Sequence, residues 1–351
     1  MAYTPINKSD DYFNTVLYTG NGSTQSITGV GFQPEWTWIK CRSDVRNHQA
    51  YDVVRGATKQ IYPNLVNAED TDTSSLTSFD SDGFSLGSAG AVNVSGQTFV
   101  SWNWLAGGTG VSNTQGSITS TVSANTTAGF SIVSYTGSGS NPTTVGHGLS
   151  QTPEVVIVKL RSGSGTDWIT WGSILGGTVG SEKIQLNLVN GKGTGLNSSW
   201  FNNTAPTSSV FTVGTQSDLN SSGSTYIGYC FHSVKGYSKF GRYTGNGSTD
   251  GTFVYTGFKP AFVITKTIDG SDNWGLLDNK RDGYNLTNKA LTPNSSGAEY
   301  TTNSPAADFV SNGFKIRQSD GVINASGDTY IYMAFAESPF VGSDGTPTTA
   351  R

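Results

Sequence analysis

The six letters YTGNGS at residues 18–23 return unchanged at residues 243–248, and a close variant, YTGSGS, stands between them at residues 135–140. Further blocks follow each motif in the same order. One block reads GFQPEWTWIK at 31–40, GLSQTPEVVIVK at 148–159 and GFKPAFVITK at 257–266. The last block reads SGQTFVSWNW at 95–104, SGSTYIGYCF at 222–231 and SGDTYIYMAF at 326–335. Shared composition would not preserve this order, so the sequence predicts three tandem copies of one unit.

The spacing of the copies, 117 and 108 residues, is too long for a solenoid repeat of about 20–50 residues and matches a small domain. We therefore expect an all-β protein built from three tandem copies of a small antiparallel β-sandwich of the jelly-roll type. The predicted boundaries are 1–107 for copy one with an N-terminal extension, 108–116 for a linker, 117–235 for copy two, 236–340 for copy three and 341–351 for a C-terminal tail.

The last block of each copy has the two-residue period of a β-strand. Its alternate positions are apolar in all three copies: Val100, Trp102 and Trp104; Ile227, Tyr229 and Phe231; Ile331, Met333 and Phe335. A Ser-Gly pair before each run supplies a turn. We expect each trio of side chains to face the core of its own copy.

The composition excludes several classes of protein. Charged residues make up 13% of the chain and aromatic residues 11%, which argues against intrinsic disorder. A formal net charge of −4 disfavours nucleic acid as a partner, because phosphate contacts need clustered Lys and Arg. The chain contains no run of 18 apolar residues, so no membrane insertion is expected. Metal-ligand spacing and a phosphate-binding loop are both missing from the sequence, and we expect neither a metal nor a cofactor.

Two copies share a charged segment in which an Asp is followed three residues later by an Arg. Copy one has Asp52 and Arg55, copy three has Asp278 and Arg281, and copy two keeps neither residue type there. Such residues most naturally pair with each other and hold a loop. Sugar binding is a second interpretation, and glycoside hydrolysis by two carboxylates is a third. Because copy two lacks the pair, we expect these four side chains near an outer surface, contacting carbohydrate or a neighbouring subunit.

Two tryptophans beside the same region are further candidates for a binding site. Trp168 and Trp274 precede the charged segment or its counterpart. An exposed indole can stack on a sugar ring, whereas a buried one fills a core or an interface. The sequence leaves both roles open for these two side chains.

The blocks together resemble repeat domains of virion structural and tail-fibre-like proteins of marine bacteriophages, notably cyanophages. The likeness rests on YTGNGS with GFQPEWTWIK, RGATK, SLTSFDSDGF and TFVSWNWLAGG in copy one, and on GFSIVSYTGSGS, NNTAPTSSVF, GYSKFGRYTGNGS and YIYMAFAESPF in the other copies. It covers nearly the whole chain. It implies a structural role in the virion and supplies no catalytic residues.

From the residues and the resemblance we expect a non-enzymatic virion protein, a tail fibre or spike component that attaches to host-surface glycan. The alternatives are a capsid decoration or head-fibre protein and a virion-associated glycan-degrading enzyme. The expected partners are other virion proteins, with one chain acting as a pseudo-trimer or three chains forming a homotrimer. Synthesis in the reducing host cytoplasm, before exposure on the particle, predicts that Cys41 and Cys230 are free thiols.

Overall fold

The structure is a computed structural model that describes residues 4–342 and 345–347. Its strands pair in antiparallel sheets, and each α-helix in this part of the chain spans four residues. The predicted all-β class is therefore confirmed. The predicted tail, 341–351, lies partly outside the described residues.

Three segments carry the strands: 13–104, 111–231 and 238–339, named here the first, second and third segments. A 3-10 turn at Ser9–Asp11 precedes them. The first segment contains β1 Phe13–Thr19, β2 Gln25–Thr28, β3 Trp36–Cys41, β4 Gln49–Asp52, β5 Lys59–Gln60, β6 Asp70–Thr71, β7 Leu76–Asp80, β8 Gly83–Leu86, α1 Gly90–Asn93 and β9 Thr98–Trp104.

The second segment has the largest number of elements. It contains β10 Val111–Asn113, β11 Ser120–Asn125, β12 Phe130–Thr136, β13 Thr143–Gly146, β14 Val155–Leu160, β15 Ile169–Trp171, a 3-10 turn at Ser173–Leu175, β16 Ile184–Gln185, α2 Ser198–Phe201, β17 Val210–Val213, α3 Ser217–Asn220 and β18 Thr225–Phe231. Strand β10 falls inside the predicted linker and pairs with β11.

The third segment contains two long strands that pair with each other. Its elements are β19 Ser238–Thr244, β20 Phe253–Tyr255, β21 Phe258–Thr267, β22 Gly275–Asp278, α4 Asn279–Asp282, β23 Ala307–Val310, β24 Gly313–Ile316 and β25 Thr329–Pro339.

One strand order recurs in the sheets of the three segments. The larger sheets contain the orders β1-β9-β3-β4, β12-β18-β14-β15 and β19-β25-β21-β22, the second extended by β10 and β11 at one edge and by β16 at the other. The smaller sheets have the orders β2-β8-β7, β13-β17 and β20-β24-β23. The YTG motifs end the corresponding strands β1, β12 and β19, so each motif has the same place in the strand order.

Local hydrogen bonds explain why each motif needs its letters. In the first segment the Tyr18 hydroxyl donates to the Val92 carbonyl, 2.8 Å away. The Asn93 side chain accepts from the backbone N–H of Asn21 and donates to the Gly87 carbonyl. A Cβ at Gly20 would lie 2.2 Å from the Val94 carbonyl oxygen, so only glycine fits there. The corresponding asparagines are Asn220 and Asn324.

The inner strands of the larger sheets are buried on both faces. Every residue of β3, β14 and β21 is buried. In the first segment, Ile39 and Phe99 belong to an apolar cluster formed by that segment alone. The opposite face, which carries Trp102 and Trp104, belongs to a cluster that draws on all three segments. The third segment has a similar cluster of its own. The sheets of the first and third segments are therefore inner layers between a local core and the central one, whereas both faces of the second segment's sheet join the central cluster.

The central core corrects one expectation from the sequence. The three apolar trios are buried as predicted, but they meet in one shared cluster instead of three separate ones. The Trp36 ring lies 4.6 Å from that of Tyr229, and the Trp104 ring lies 5.6 Å from that of Phe335. Phe231 and Phe335 are 6.1 Å apart between ring centroids. Period two identifies the side chains that share a face, but not the layer that covers it.

Each copy has a fully buried lysine at the end of the block that spans 31–40, 148–159 or 257–266. These lysines are Lys40, Lys159 and Lys266, named here the lysine triad. The Lys40 ammonium donates to the Ser296 carbonyl in the third segment, 3.3 Å away. The Lys159 ammonium donates to the Val66 carbonyl in the first segment, 2.6 Å away. Burial lowers the pKa of each of the three to about 8.

Candidate functional site

The first predicted site residues, Asp52 and Arg55, form a buried ion pair. Arg55 follows the end of β4, and its Nε donates to Asp52 Oδ2 across 2.5 Å. Asp52 Oδ1 accepts the backbone N–H groups of Val54 and Arg55, which closes the turn. Both side chains are 0% exposed. The short-range pairing expected from the spacing is therefore present.

The same carboxylate reaches across to the second segment. The Tyr229 hydroxyl donates to Asp52 Oδ2, 2.7 Å away. Arg55 also pairs with Glu69 at 3.3 Å, and Glu69 binds Arg161 of the second segment through both of its oxygens. Asp52 and Glu69 thus connect two segments far apart in sequence. We name this contact the first–second junction.

The electrostatics of this junction favour the charged forms of Arg55 and Glu69 and the neutral form of Tyr229. Burial alone would lower the pKa of Arg55, but the carboxylates of Asp52 and Glu69 raise it above its usual value. Burial alone would raise the pKa of Glu69, but Arg161 and Arg55 hold it below its usual value. Burial raises the pKa of Tyr229 well above its usual range, and the negative charge of Asp52 raises it further. The Tyr229 hydroxyl therefore keeps its proton and remains a donor.

The second predicted pair repeats the arrangement between the third and first segments, named here the third–first junction. Arg281 Nε donates to Asp278 Oδ2 across 2.5 Å, with both side chains 0% exposed. The Trp102 indole N–H donates to the same oxygen at 3.0 Å. Glu299 contacts Arg281 at 3.3 Å and binds Arg42 of the first segment through both oxygens.

The contact between the second and third segments, the second–third junction, lacks this ionic arrangement on both sides. Gly172 stands at the position of the aspartates, and Met333 stands at the register position of Trp102 and Tyr229. Ile268 stands at the position of Arg42 and Arg161, the arginines that bind Glu299 and Glu69. A thioether and an alkyl group donate no hydrogen bond, so a buried carboxylate here would lack the donor from the neighbouring segment that Asp52 and Asp278 have. The missing Asp/Arg pair of copy two thus coincides with missing donors in the segment that it contacts.

The two predicted tryptophans also lie in junctions. Trp168 and Trp274 are 1% and 2% exposed, so neither presents a ring to solvent. The Trp168 indole N–H donates to the Tyr62 carbonyl of the first segment at 2.8 Å. The Trp274 indole N–H donates to the Gln185 carbonyl of the second segment at 3.1 Å. Their role here is structural.

His48 holds the corresponding position in the third–first junction. Its Nδ1 accepts from the Trp38 indole N–H, so Nε2 carries the proton and donates to the Thr292 carbonyl, 3.1 Å away. Burial lowers the pKa of His48 well below its usual value and keeps the ring neutral. The equivalence of His48, Trp168 and Trp274 follows from their backbone N–H groups, which donate to Asn64, Asn187 and Asn294 respectively.

The expectation of an outer surface is wrong for all four charged side chains. Asp52, Arg55, Asp278 and Arg281 are at most 7% exposed. Their charges are paired within the chain, which leaves no face for an external sugar. The neighbour that they contact is another segment of the same chain.

A surface groove in the third segment is the better candidate for a binding site. It encloses about 430 Å³ and lies beside the loop that follows β22, so we name it the 279–287 groove. Its lining includes Lys259, Asn279, Lys280, Tyr284, Phe309 and Glu337. A second cavity of about 280 Å³ shares Asn279, Lys280 and Glu337 and extends to β1. The volume is typical of small-ligand sites.

Internal hydrogen bonds fix the loop that forms this groove. The Asn285 side chain donates to the Phe309 carbonyl and accepts the Phe309 N–H, both at 2.9 Å. The Asp282 carboxylate accepts the backbone N–H groups of Asn288 and Lys289, each at 2.9 Å. Tyr284, between these anchors, is 81% exposed. A fixed loop can present this ring without a large ordering cost.

Sequence reasoning missed this groove, although a signal was present. In copy one, residues 53–63 lie between Asp52 and Asn64; in copy three, residues 279–293 lie between Asp278 and the equivalent Asn294. Copy three is thus four residues longer, and its extra length includes the loop at Tyr284. Loops added to a common scaffold often carry function.

Within the described residues, no group of three His, Cys, Asp or Glu side chains could hold a metal ion. In the same part of the chain, no helix is long and apolar enough to cross a membrane.

Comparison with known proteins gives a family and no function. Residues 8–339 match a family described as a domain of unknown function, DUF7483. No curated protein matches the chain. Since the match covers nearly all of the sequence, the chain belongs to the DUF7483 family.

Proposed function

We propose that the chain consists of three tandem antiparallel β-sandwiches that close into a ring around one core. Their bounds follow the sequence prediction, except that β10, in the predicted linker, belongs to the sheet of the second unit. The recurring strand order and the shared position of the YTG motifs support this organisation. The junctions support closure, because the first segment contacts the second, the second contacts the third and the third contacts the first. In this arrangement one chain is a pseudo-trimer and needs no partner copy to complete it.

The function that we propose is that of a virion structural protein, a tail fibre or spike component that attaches to host-surface glycan. The main supporting observation is the closed set of junctions. The Asp/Arg pairs, which were candidates for a catalytic or sugar-binding site, hold the segments together there. A rigid β module of this kind suits an exposed position on a particle, and the sequence resemblance to phage virion proteins points the same way. On this proposal the protein is non-enzymatic, and its partners are other virion proteins.

Labelling of intact particles tests the location. Antibody against the purified chain, visualised by electron microscopy, should bind at the tail or its fibres. Label confined to the head would favour a capsid decoration or head-fibre protein. Particles without label, in a preparation where denatured particles also give no band on a blot, would refute a virion role.

Adsorption of particles to host cells tests the attachment function. Purified chain should compete with the particles and slow their adsorption. An excess of chain that leaves adsorption unchanged, although the label is on the tail, would refute attachment while leaving the structural role in place.

A further inference from the structure

We propose that the 279–287 groove binds an acidic glycan, with a sugar ring lying on Tyr284 and a carboxylate facing Lys280. This inference rests on the proposed attachment function and gives it a site and a ligand class. It places binding on one segment of the three.

Tyr284 supplies the aromatic surface. At 81% exposure it is the most exposed large apolar side chain among the described residues. A tyrosine has an apolar ring face and a polar hydroxyl, so an exposed tyrosine beside a cavity can stack on a ligand ring and hydrogen-bond at its rim. The Asn285 and Asp282 anchors hold the backbone on either side of it. The ring is therefore presented on a fixed support.

Asn279 supplies an acceptor that has no donor. Its Nδ2 donates to Glu337 Oε2 at 2.9 Å, which fixes the orientation of the amide. Its Oδ1 is buried and accepts no hydrogen bond in the described structure. A buried acceptor without a donor is unfavourable by about 1–3 kcal/mol. Asn279 lines the groove, so a sugar hydroxyl that displaces the atoms covering this oxygen would donate to it and remove that penalty.

Lys280 supplies the positive charge. The Glu337 carboxylate is neutralised by Lys259 at 2.6 Å, and Asp282 faces Lys289 at 3.7 Å. Lys280 is exposed and makes no ion pair with a described residue. Two carboxylates and three ammonium groups leave this region with one unpaired positive charge.

The acids beside the adjoining cavity share one lysine. Asp10 lines that cavity together with Lys280; Lys8 lies 3.8 Å from the Asp10 carboxylate and hydrogen-bonds to Asp11. The net charge of the whole chain is −4. On a negative protein, the unpaired Lys280 ammonium at the groove is a local positive charge that attracts an anionic ligand.

Calorimetric titration of the full chain with an alginate oligosaccharide, a polyuronate, tests the inference. The comparison ligand is the same oligosaccharide after chemical reduction of its carboxyl groups to alcohols. We expect alginate to bind more tightly than the reduced ligand, with an affinity that falls as salt is added.

Two substitutions and their matched controls locate the binding site. Tyr284→Ala should weaken binding of both ligands by roughly tenfold or more. Lys280→Gln should weaken binding of alginate only, and Lys280→Arg should retain it. Phe253→Ala, an exposed ring elsewhere in the third segment, and Lys59→Gln, in the first segment, should change nothing.

Each outcome decides a different point. Equal binding of the two ligands would overturn the acidic class and leave the groove in place. Binding that survives Tyr284→Ala, or failure of both ligands to bind, would overturn the groove as the site. Neither result would touch the particle-labelling and adsorption tests, so failure of this inference is distinguishable from failure of the proposed function.

Discussion

Replacing Asp52 with alanine should destabilise the folded chain by about 3–5 kcal/mol, the range for breaking a buried ion pair from one side. The substitution removes no surface group, because the carboxylate is 0% exposed. It leaves the Arg55 guanidinium buried, with only Glu69 at 3.3 Å as an acidic partner. It also removes the acceptor of the Tyr229 hydroxyl.

The contribution of the junction itself can be separated from that of the loop. Tyr229→Phe removes only the hydrogen bond that crosses between segments, which should lower stability by about 1.5–3 kcal/mol because the acceptor is charged. In the double variant with Asp52→Ala, the loss of the hydroxyl should matter little, since its acceptor is already gone. The coupling energy between the two positions should therefore exceed about 0.5 kcal/mol.

Urea unfolding followed by tryptophan fluorescence measures these differences, because indole rings line both the central core and the junctions. Asp308→Ala is the matched control. Asp308 pairs with Arg317 at 2.6 Å, but the two side chains are 22% and 40% exposed. Such a pair should contribute only about 0–1 kcal/mol. A loss for Asp52→Ala no larger than that for Asp308→Ala, or additive effects of Asp52→Ala and Tyr229→Phe, would refute the assignment of the junction.

Three further results are expected. Trp104→Ala should lower stability by about 3–5 kcal/mol in the same urea assay, since its ring packs in the central core; a loss under about 1 kcal/mol would contradict this. Cys41 and Cys230 are buried and unpaired, and burial raises the pKa of Cys230, so a thiol reagent should titrate two thiols in denaturant and almost none in the native chain. Stability should rise between about pH 8 and 9, because the lysine triad has folded pKa values of about 8 against 10.5 for unfolded lysine, so the unfolded state binds more protons. The rise approaches about 1.4 kcal/mol per pH unit for each lysine, and Lys40→Met should reduce the slope measured by urea unfolding at each pH; an unchanged slope would contradict it.

Local patterns in the sequence were enough to predict the all-β class and the strands of the repeated blocks. Period two identified the trios at Trp102, Tyr229 and Met333, and all of them are buried. The Asp/Arg spacing at Asp52 and Asp278 suggested a local ion pair, which the structure contains. These features are predictable because each depends on residues within a few positions of one another.

Contacts between residues far apart in the sequence could not be predicted from such local patterns. Asp52 and Tyr229 are 177 residues apart in the sequence, and Asp278 and Trp102 are 176 apart. No local spacing therefore predicts either contact. The sequence by itself determined which side chains share a strand face and which charges pair within a turn. Only the tertiary structure decided that the faces meet in one central core and that the paired charges are enclosed by a neighbouring segment, because burial depends on what packs above a face.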